Sequence, residues 1–316
     1  MALGVRPRPK PRAKPPPRKR RKLKNIAVLP SLVTLVNGIC GFTAVFLASH
    51  GADAVWEPEF FQAANFSFFA LAGYVIFIGM IADVLDGHIA RISKSTSSFG
   101  AQLDSLCDVI TFGVAPAFLM VKVTEAYSHS LRFVSYDFAF ISERVVYLIA
   151  IVYVMCAIIR LARFNVESKN GNTHLGFAGL PSPAAAGVIV SIVVFQQDFL
   201  PRIARWSDGS ADGFAVAITW ILPIVTLGAG LLMVTRVSYP HAVNRILRGK
   251  KRFSTFLIIL FLLPPMLWNV QLTMVVGFSA FALFGVIRWV FVKAFSRRRK
   301  EAETEASREK NFGSGI

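Results

Sequence analysis

Four carboxylates sit in strongly apolar sequence at spacings that helices would bring together. The stretch reads Asp83-Val-Leu-Asp86-Gly87-His-Ile-Ala90-Arg91, then eight residues, then Gly100-Ala-Gln-Leu-Asp104-Ser-Leu-Cys-Asp108. On a helix, Asp83 and Asp86 share a face that Gly87 and Ala90 continue. Gly100, Asp104 and Asp108 form one stripe on the next helix. A polar hinge centred on Ile92 to Ser98 lets the two faces turn toward each other. Four acids converging at membrane depth repel one another and desolvate badly unless cations hold them together. A pair of divalent metal ions with oxygen ligands meets that need. Such a pair binds a pyrophosphate and neutralises charge that builds up on phosphoryl oxygens. Gly87, Ala90 and Gly100 lack bulk, so a nucleotide can approach the helix backbones. Arg91 offers a fork that suits phosphate oxygens. Asp108, last in its stripe, could take a proton from an attacking alcohol. These parts describe a metal-assisted phosphoryl displacement with one substrate in the bilayer. A lone membrane Asp that pairs with a cation or sits in interfacial water would explain Asp83 or Asp86 singly. It does not explain four acids, two glycines, an alanine and an arginine in one register.

The elements that must position these residues are membrane helices. Of 316 residues, 54% are hydrophobic and 17% charged, with a mean hydropathy of +0.54. That is too apolar for a soluble globular chain and implies a polytopic membrane protein. The formal net charge of +17 gathers in runs that flank apolar spans. Orientation signals and contact with anionic lipid account for it better than nucleic-acid binding does. Cys40, Cys107 and Cys156 all fall in apolar segments without pairing or zinc spacing, and read as small core residues. No cleavable signal peptide is expected, because the first apolar stretch follows a long basic arm.

Residues 1–24 hold eleven Lys or Arg, six Pro and no acid, a composition that cannot bury a core and is expected to be a disordered cytoplasmic arm. Eight spans follow: about Leu32 to Ala48, Ala64 to Leu85, Gly100 to Val123, Val145 to Ile159, Ala184 to Phe195 or slightly further, Phe214 to Val234, Phe253 to Trp268 and Leu272 to Phe291. Pro264-Pro265 is expected to kink the seventh. The acidic loop His50 to Gln62 belongs outside, whereas Arg91, Lys94, Lys169, Arg236 and the cluster Arg245 to Arg252 belong inside. Both termini and the acids then lie on the cytoplasmic face. The expected organisation is an all-α polytopic transmembrane bundle: a six-helix unit over residues 25–240, a basic segment with a two-helix hairpin over 241–296, and a charged tail over 297–316.

The pattern Asp-x2-Asp-Gly-x2-Ala-Arg-x8-Gly-x3-Asp-x3-Asp resembles the signature of the CDP-alcohol phosphatidyltransferases, matching all eight signature positions within 26 residues. The resemblance implies transfer of a phosphatidyl group from a CDP-linked lipid to an alcohol, with release of CMP. It implies two divalent ions, Mg2+ or Mn2+. Asp83, Asp86 and Asp104 would hold one, and Asp83, Asp104 and Asp108 the other. It further implies that Gly87, Arg91 and Ser97 contact the CDP part, that Asp108 acts as general base, and that the protein is a homodimer.

Three more stretches are similar to the membrane-bound, serine-using branch of that family. They are Leu29-Pro-Ser-Leu-Val-Thr-Leu-Val-Asn37-Gly-Ile-Cys-Gly-Phe42, Arg160-Leu-Ala-Arg163-Phe-Asn165 and Gly179-Leu-Pro-Ser-Pro-Ala-Ala-Ala186. The substrates implied are CDP-diacylglycerol and L-serine. Serine carries a carboxylate, for which Arg160 and Arg163, one turn apart, are the candidate partners, with Arg236 and Lys169 behind them. Snorkelling at the interface would account for each of these cations equally well. Choline, glycerol 3-phosphate or inositol phosphate are the alternative acceptors. A cation transporter is the reading from another class, but it would spread acids over several helices near the midplane. The absence of a eukaryotic targeting signal suggests a bacterial inner membrane.

Overall fold

The computed structural model describes residues 28–51, 67–92, 98–128, 136–169, 179–204, 210–235, 237, 269–289 and 291. All regular structure among them is helical. In chain order the helices are α1 (Val28–Ser49), α2 (Phe68–Ile92), α3 (Ser98–Asp108), α4 (Ala115–Ser128), α5 (Tyr136–Lys169), α6 (Ser182–Val194), α7 (Leu200–Ala204) and α8 (Ser210–Val234), and then α9 (Val270–Trp289). A π-helical turn, Val109–Val114, joins α3 to α4, and a second, Phe195–Phe199, joins α6 to α7.

Among the described residues seven stretches are long and apolar enough to cross a membrane: Ser31–Ser49, Phe68–Ile89, Phe99–Tyr127, Ile141–Glu167, Ser182–Ile203, Gly213–Val234 and Val270–Trp289. The expected spans one to six and eight correspond to these. The expected span Phe253 to Trp268, with Pro264-Pro265, lies outside the described residues, as do the arm 1–24, the cluster Arg245 to Arg252 and Arg236. The fourth span differs most from expectation. α5 runs for 34 residues, about 51 Å at the rise of an α-helix, because Glu143, Arg144 and Glu167 break the hydropathy without breaking the helix.

The bundle is organised around the layer between α1, α2 and the α3–α4 rod. Small residues make that layer thin: Ala44, Ala48, Ala70 and Ala72 are almost fully buried. A Cβ on Gly41 of α1 would stand 2.8 Å from Thr111 Cα in the first π turn, and one on Gly38 would stand 2.9 Å from Cys107 Sγ. Only glycine allows backbones this close. On α5 the buried stripe Val146, Ala150, Tyr153, Ala157 and Leu161 faces the bundle, whereas Leu148, Ile151, Met155 and Ile159 point outward. In a soluble protein such an apolar exterior would aggregate; here it is the face that lipid solvates. The three thiols are buried and form no disulfide, as core residues should.

α9 packs against α2 and α6. The Phe278 ring lies against Gly187 of α6, where any Cβ would strike it, and stacks on Phe77 of α2 at 5.8 Å. Gln271, at the start of α9, reaches Tyr74 near the start of α2. Asn269, just before α9, therefore lies at the end of the bundle opposite the acids.

Candidate active site

Five elements deliver their polar residues to one end of the bundle: the start of α1, the end of α2, the α3 stripe, the end of α5 and the start of α6. One carboxylate oxygen each of Asp83, Asp104 and Asp108 lies within 4.8 Å of the others. Asp86 is buried beside them, within electrostatic reach of Asp83 and Asp104. It turns toward α1, where the Thr34 hydroxyl donates to its Oδ2. Asp108 is held in the same way: the Asn37 amide donates from Nδ2 to Oδ1 at 3.0 Å.

The charges do not balance with the described side chains alone. Arg160 is the cation that reaches the cluster from α5, standing within electrostatic range of Asp108 and Asp83. One positive charge cannot offset four carboxylates in an apolar setting. Oδ1 of Asp104 is buried and has no hydrogen-bond partner among the described residues. An orphaned carboxylate oxygen in an all-oxygen donor set, with excess negative charge, fits hard divalent cations such as Mg2+ or Mn2+. The residues present thus suit the expected metals.

Arg160 is set by its neighbours. Its Nη1 donates to Ser182 Oγ at 2.6 Å, and Ser182 is itself buried. The segment before Ser182 is pinned to the end of α8: Gly179 N–H donates to the Val237 carbonyl at 2.8 Å, and Leu180 N–H to that of Leu232 at 3.0 Å. Gly179 has φ +97°, and a Cβ there would collide with the Met233 carbonyl. Glycine is required at this position on both counts. Pro181 then opens α6, so the Gly-Leu-Pro-Ser sequence is a bracket that holds Ser182 against Arg160.

The two arginines of α5 go separate ways. Spacing i, i+3 offsets them by about 60° around a helix. Arg160 faces the acids, whereas Arg163 pairs with Glu167 at 2.7 Å on an exposed surface. Of the two candidates for the acceptor carboxylate, the geometry brings only Arg160 to the cluster. Gly87 and Gly100 are half-buried on α2 and α3. Ala90 and Arg91 lie in the last turn of α2, with side chains outside the described residues, and so does Ser97 entirely.

Sequence reasoning missed Thr34, Asn37 and Ser182 as members of this site. The signal was present: a Thr and an Asn three apart on an apolar helix, followed by Gly38 and Gly41, mark a polar face pressed against a neighbour. Asn165 adds a further tie, donating from Nδ2 to Ser105 Oγ at 2.8 Å between α5 and α3.

Comparison with known proteins agrees with this geometry. Residues 27–227 match the family model described as CDP-alcohol phosphatidyltransferase. The chain is 30% identical over 269 residues to a CDP-diacylglycerol–serine O-phosphatidyltransferase of Helicobacter pylori, covering 84% of this chain and 99% of that one. It is 31% identical over 214 residues to the protein of that name from Bacillus subtilis, covering 67% and 90%. For the one from Methanocaldococcus jannaschii the identity is 29% over 224 residues, covering 71% and 79%. With its signature on two facing helices and its matched region spanning the whole acid-bearing bundle, the chain belongs to the CDP-alcohol phosphatidyltransferase family.

Proposed function

We propose that this integral membrane enzyme transfers the phosphatidyl group of CDP-diacylglycerol to the hydroxyl of L-serine, giving phosphatidylserine and CMP. The observation that carries the reading is the convergence of Asp83, Asp104 and Asp108 beside the half-buried guanidinium of Arg160. Its likeness to relatives named for serine transfer supports the choice of acceptor.

Asp83, Asp86 and Asp104 would hold one divalent ion, and Asp83, Asp104 and Asp108 the second. When bound, these ions would orient the pyrophosphate and offset charge on its oxygens. Gly87 and Gly100 leave room for the nucleotide along the helix backbones, and Gly87, Arg91 and Ser97 would contact the CDP part. Asp108 takes the proton from the serine hydroxyl. The serine oxygen then bonds to the phosphorus next to diacylglycerol. The bond from that phosphorus to the bridging pyrophosphate oxygen breaks, and CMP leaves with the electron pair. Arg160, braced by Ser182, receives the serine carboxylate with its guanidinium fork. The positive charges of Arg91 and Lys94, which follow the α2 acids in sequence, support a site at the cytoplasmic face of the membrane.

The test is CMP release by the purified chain in mixed micelles with CDP-diacylglycerol and Mg2+ or Mn2+. Serine, choline, glycerol 3-phosphate and inositol phosphate are offered one at a time. Release with serine alone is expected, and EDTA should abolish it. Release with another alcohol would overturn the acceptor assignment and keep the chemistry. No release with any of them, from folded protein, would overturn the transferase reading in favour of ion transport.

A further inference from the structure

α1 carries none of the signature acids, yet it grips one acid from each half of the signature. Thr34 and Asn37, three apart and therefore on one helix face, donate to Asp86 and Asp108 respectively. Asn37 is the more deeply engaged. Its side chain is fully buried. Its amide holds Asp108 Oδ1, while its own backbone carbonyl accepts from Thr111 Oγ1 at 2.8 Å. Thr111 lies in the π turn that begins one residue after Asp108. Glycines press three backbones around this point: Gly38 against Cys107, Gly41 against Thr111, and Gly79 of α2, whose Cβ would meet Thr111 Cγ2 at 2.8 Å and Asn37 Oδ1 at 3.2 Å.

The arrangement also has a cost. Asn37 Oδ1 is buried without a partner among the described residues. An apolar residue of similar shape would avoid that cost, since a membrane helix gains nothing from an unsatisfied amide oxygen. What the amide supplies is a neutral N–H. A Lys or Arg here would neutralise Asp108 and compete with a metal ion; an Asp would add a fifth negative charge. Holding Oδ1 sets the plane of the Asp108 carboxylate, and with it the direction in which Oδ2 lies.

We infer that Asn37 is the positioning residue for Asp108: α1 acts as an orienting arm that fixes the carboxylate plane from which the acceptor proton is taken. The role rests on the transferase reading above and adds to it a residue outside the signature. Asn37 touches no reacting atom and acts only through Asp108.

The test compares the full-length parent with Asn37→Ala and with Thr111→Val, which removes only the bond to the Asn37 carbonyl. kcat and the KM for each substrate are measured in mixed micelles, together with thermal melting and the electron paramagnetic resonance spectrum of bound Mn2+. Asn37→Ala is expected to lower kcat by about 100-fold, the scale of a misoriented proton acceptor. Both KM values should stay within about threefold, and Mn2+ should bind with a changed spectrum. Thr111→Val should lower the melting temperature with kcat within about threefold of the parent. For Asn37→Ala, a kcat within threefold of the parent, or losses in kcat, KM and Mn2+ affinity that all scale with lost melting stability, would overturn the inference. kcat decides wherever the parent turns over any alcohol. If it turns over none, the transferase reading falls, and the Mn2+ spectrum alone decides whether Asn37 positions Asp108.

Discussion

Each end of the bundle holds a buried aspartate beside a π turn, and the two are treated in opposite ways. At one end Asp108 precedes the turn Val109–Val114. Around it four carboxylates share a Thr, an Asn and an Arg, and one oxygen of Asp104 has no partner among the described residues. At the other end Asp198 lies within the turn Phe195–Phe199 and is fully provided for. Its Oδ2 accepts from the Tyr74 hydroxyl at 2.6 Å and from Gln271 Nε2 at 2.8 Å, and its Oδ1 from Arg202 at 2.6 Å. π turns interrupt the helix ladder and recur at functional sites, but the turn alone does not make a site. What separates the two ends is the balance of donors against acceptors. A closed network fixes structure, and an open, over-acidic one awaits a ligand. The closed network also explains the docking of α9, which lies outside the matched family region: Gln271 plugs into it, and Phe278 seats on Gly187.

The contrast can be broken in four places. The largest effect is expected for Asp108→Asn, which would remove the proposed proton acceptor and keep most of the proposed metal ligands. Turnover should fall by roughly 10³-fold, with binding of CDP-diacylglycerol retained; normal CMP release would remove Asp108 from the chemistry. Arg160→Ala should raise the KM for serine about 10- to 100-fold, the worth of a hydrogen bond to a charged group, with little change for CDP-diacylglycerol. Equal rises for both substrates would make Arg160 a structural cation. Asp198→Ala strips three donors of their acceptor and should cost about 1–3 kcal/mol of stability, read as a lower melting temperature in detergent. The kcat of the folded fraction should not move, and a large loss of kcat would erase the distinction between the two ends. Gln271→Leu should cost about 0.6 kcal/mol and leave both substrate constants unchanged.

The acidic cluster was legible because it is local. All four acids lie within 26 residues, and helical spacing alone puts them on two faces that can meet. Spans were legible because twenty apolar residues have little else to be. The supporting residues were harder to read. Thr34 and Asn37 look like packing in a small-residue helix, since their partners lie 52 and 71 positions away. Arg160 and Arg163 look equivalent by spacing, and a 60° offset separates them. The Tyr74–Gln271 bond spans 197 positions, and no periodicity announces it.

Helix phase behaves like a reading frame, and the turn Val109–Val114 is a frame-shift written into the protein. Each residue of an α-helix advances the side chains by about 100°. Deleting a single residue from that turn would leave the acids, the hydropathy and the span count intact. It would nevertheless rotate the Asp104–Asp108 stripe by about one residue's angle relative to α4. Either the acids or the buried face of α4 would then turn toward lipid. The number of residues in this segment is thus as much a determinant of the site as the identity of any of them.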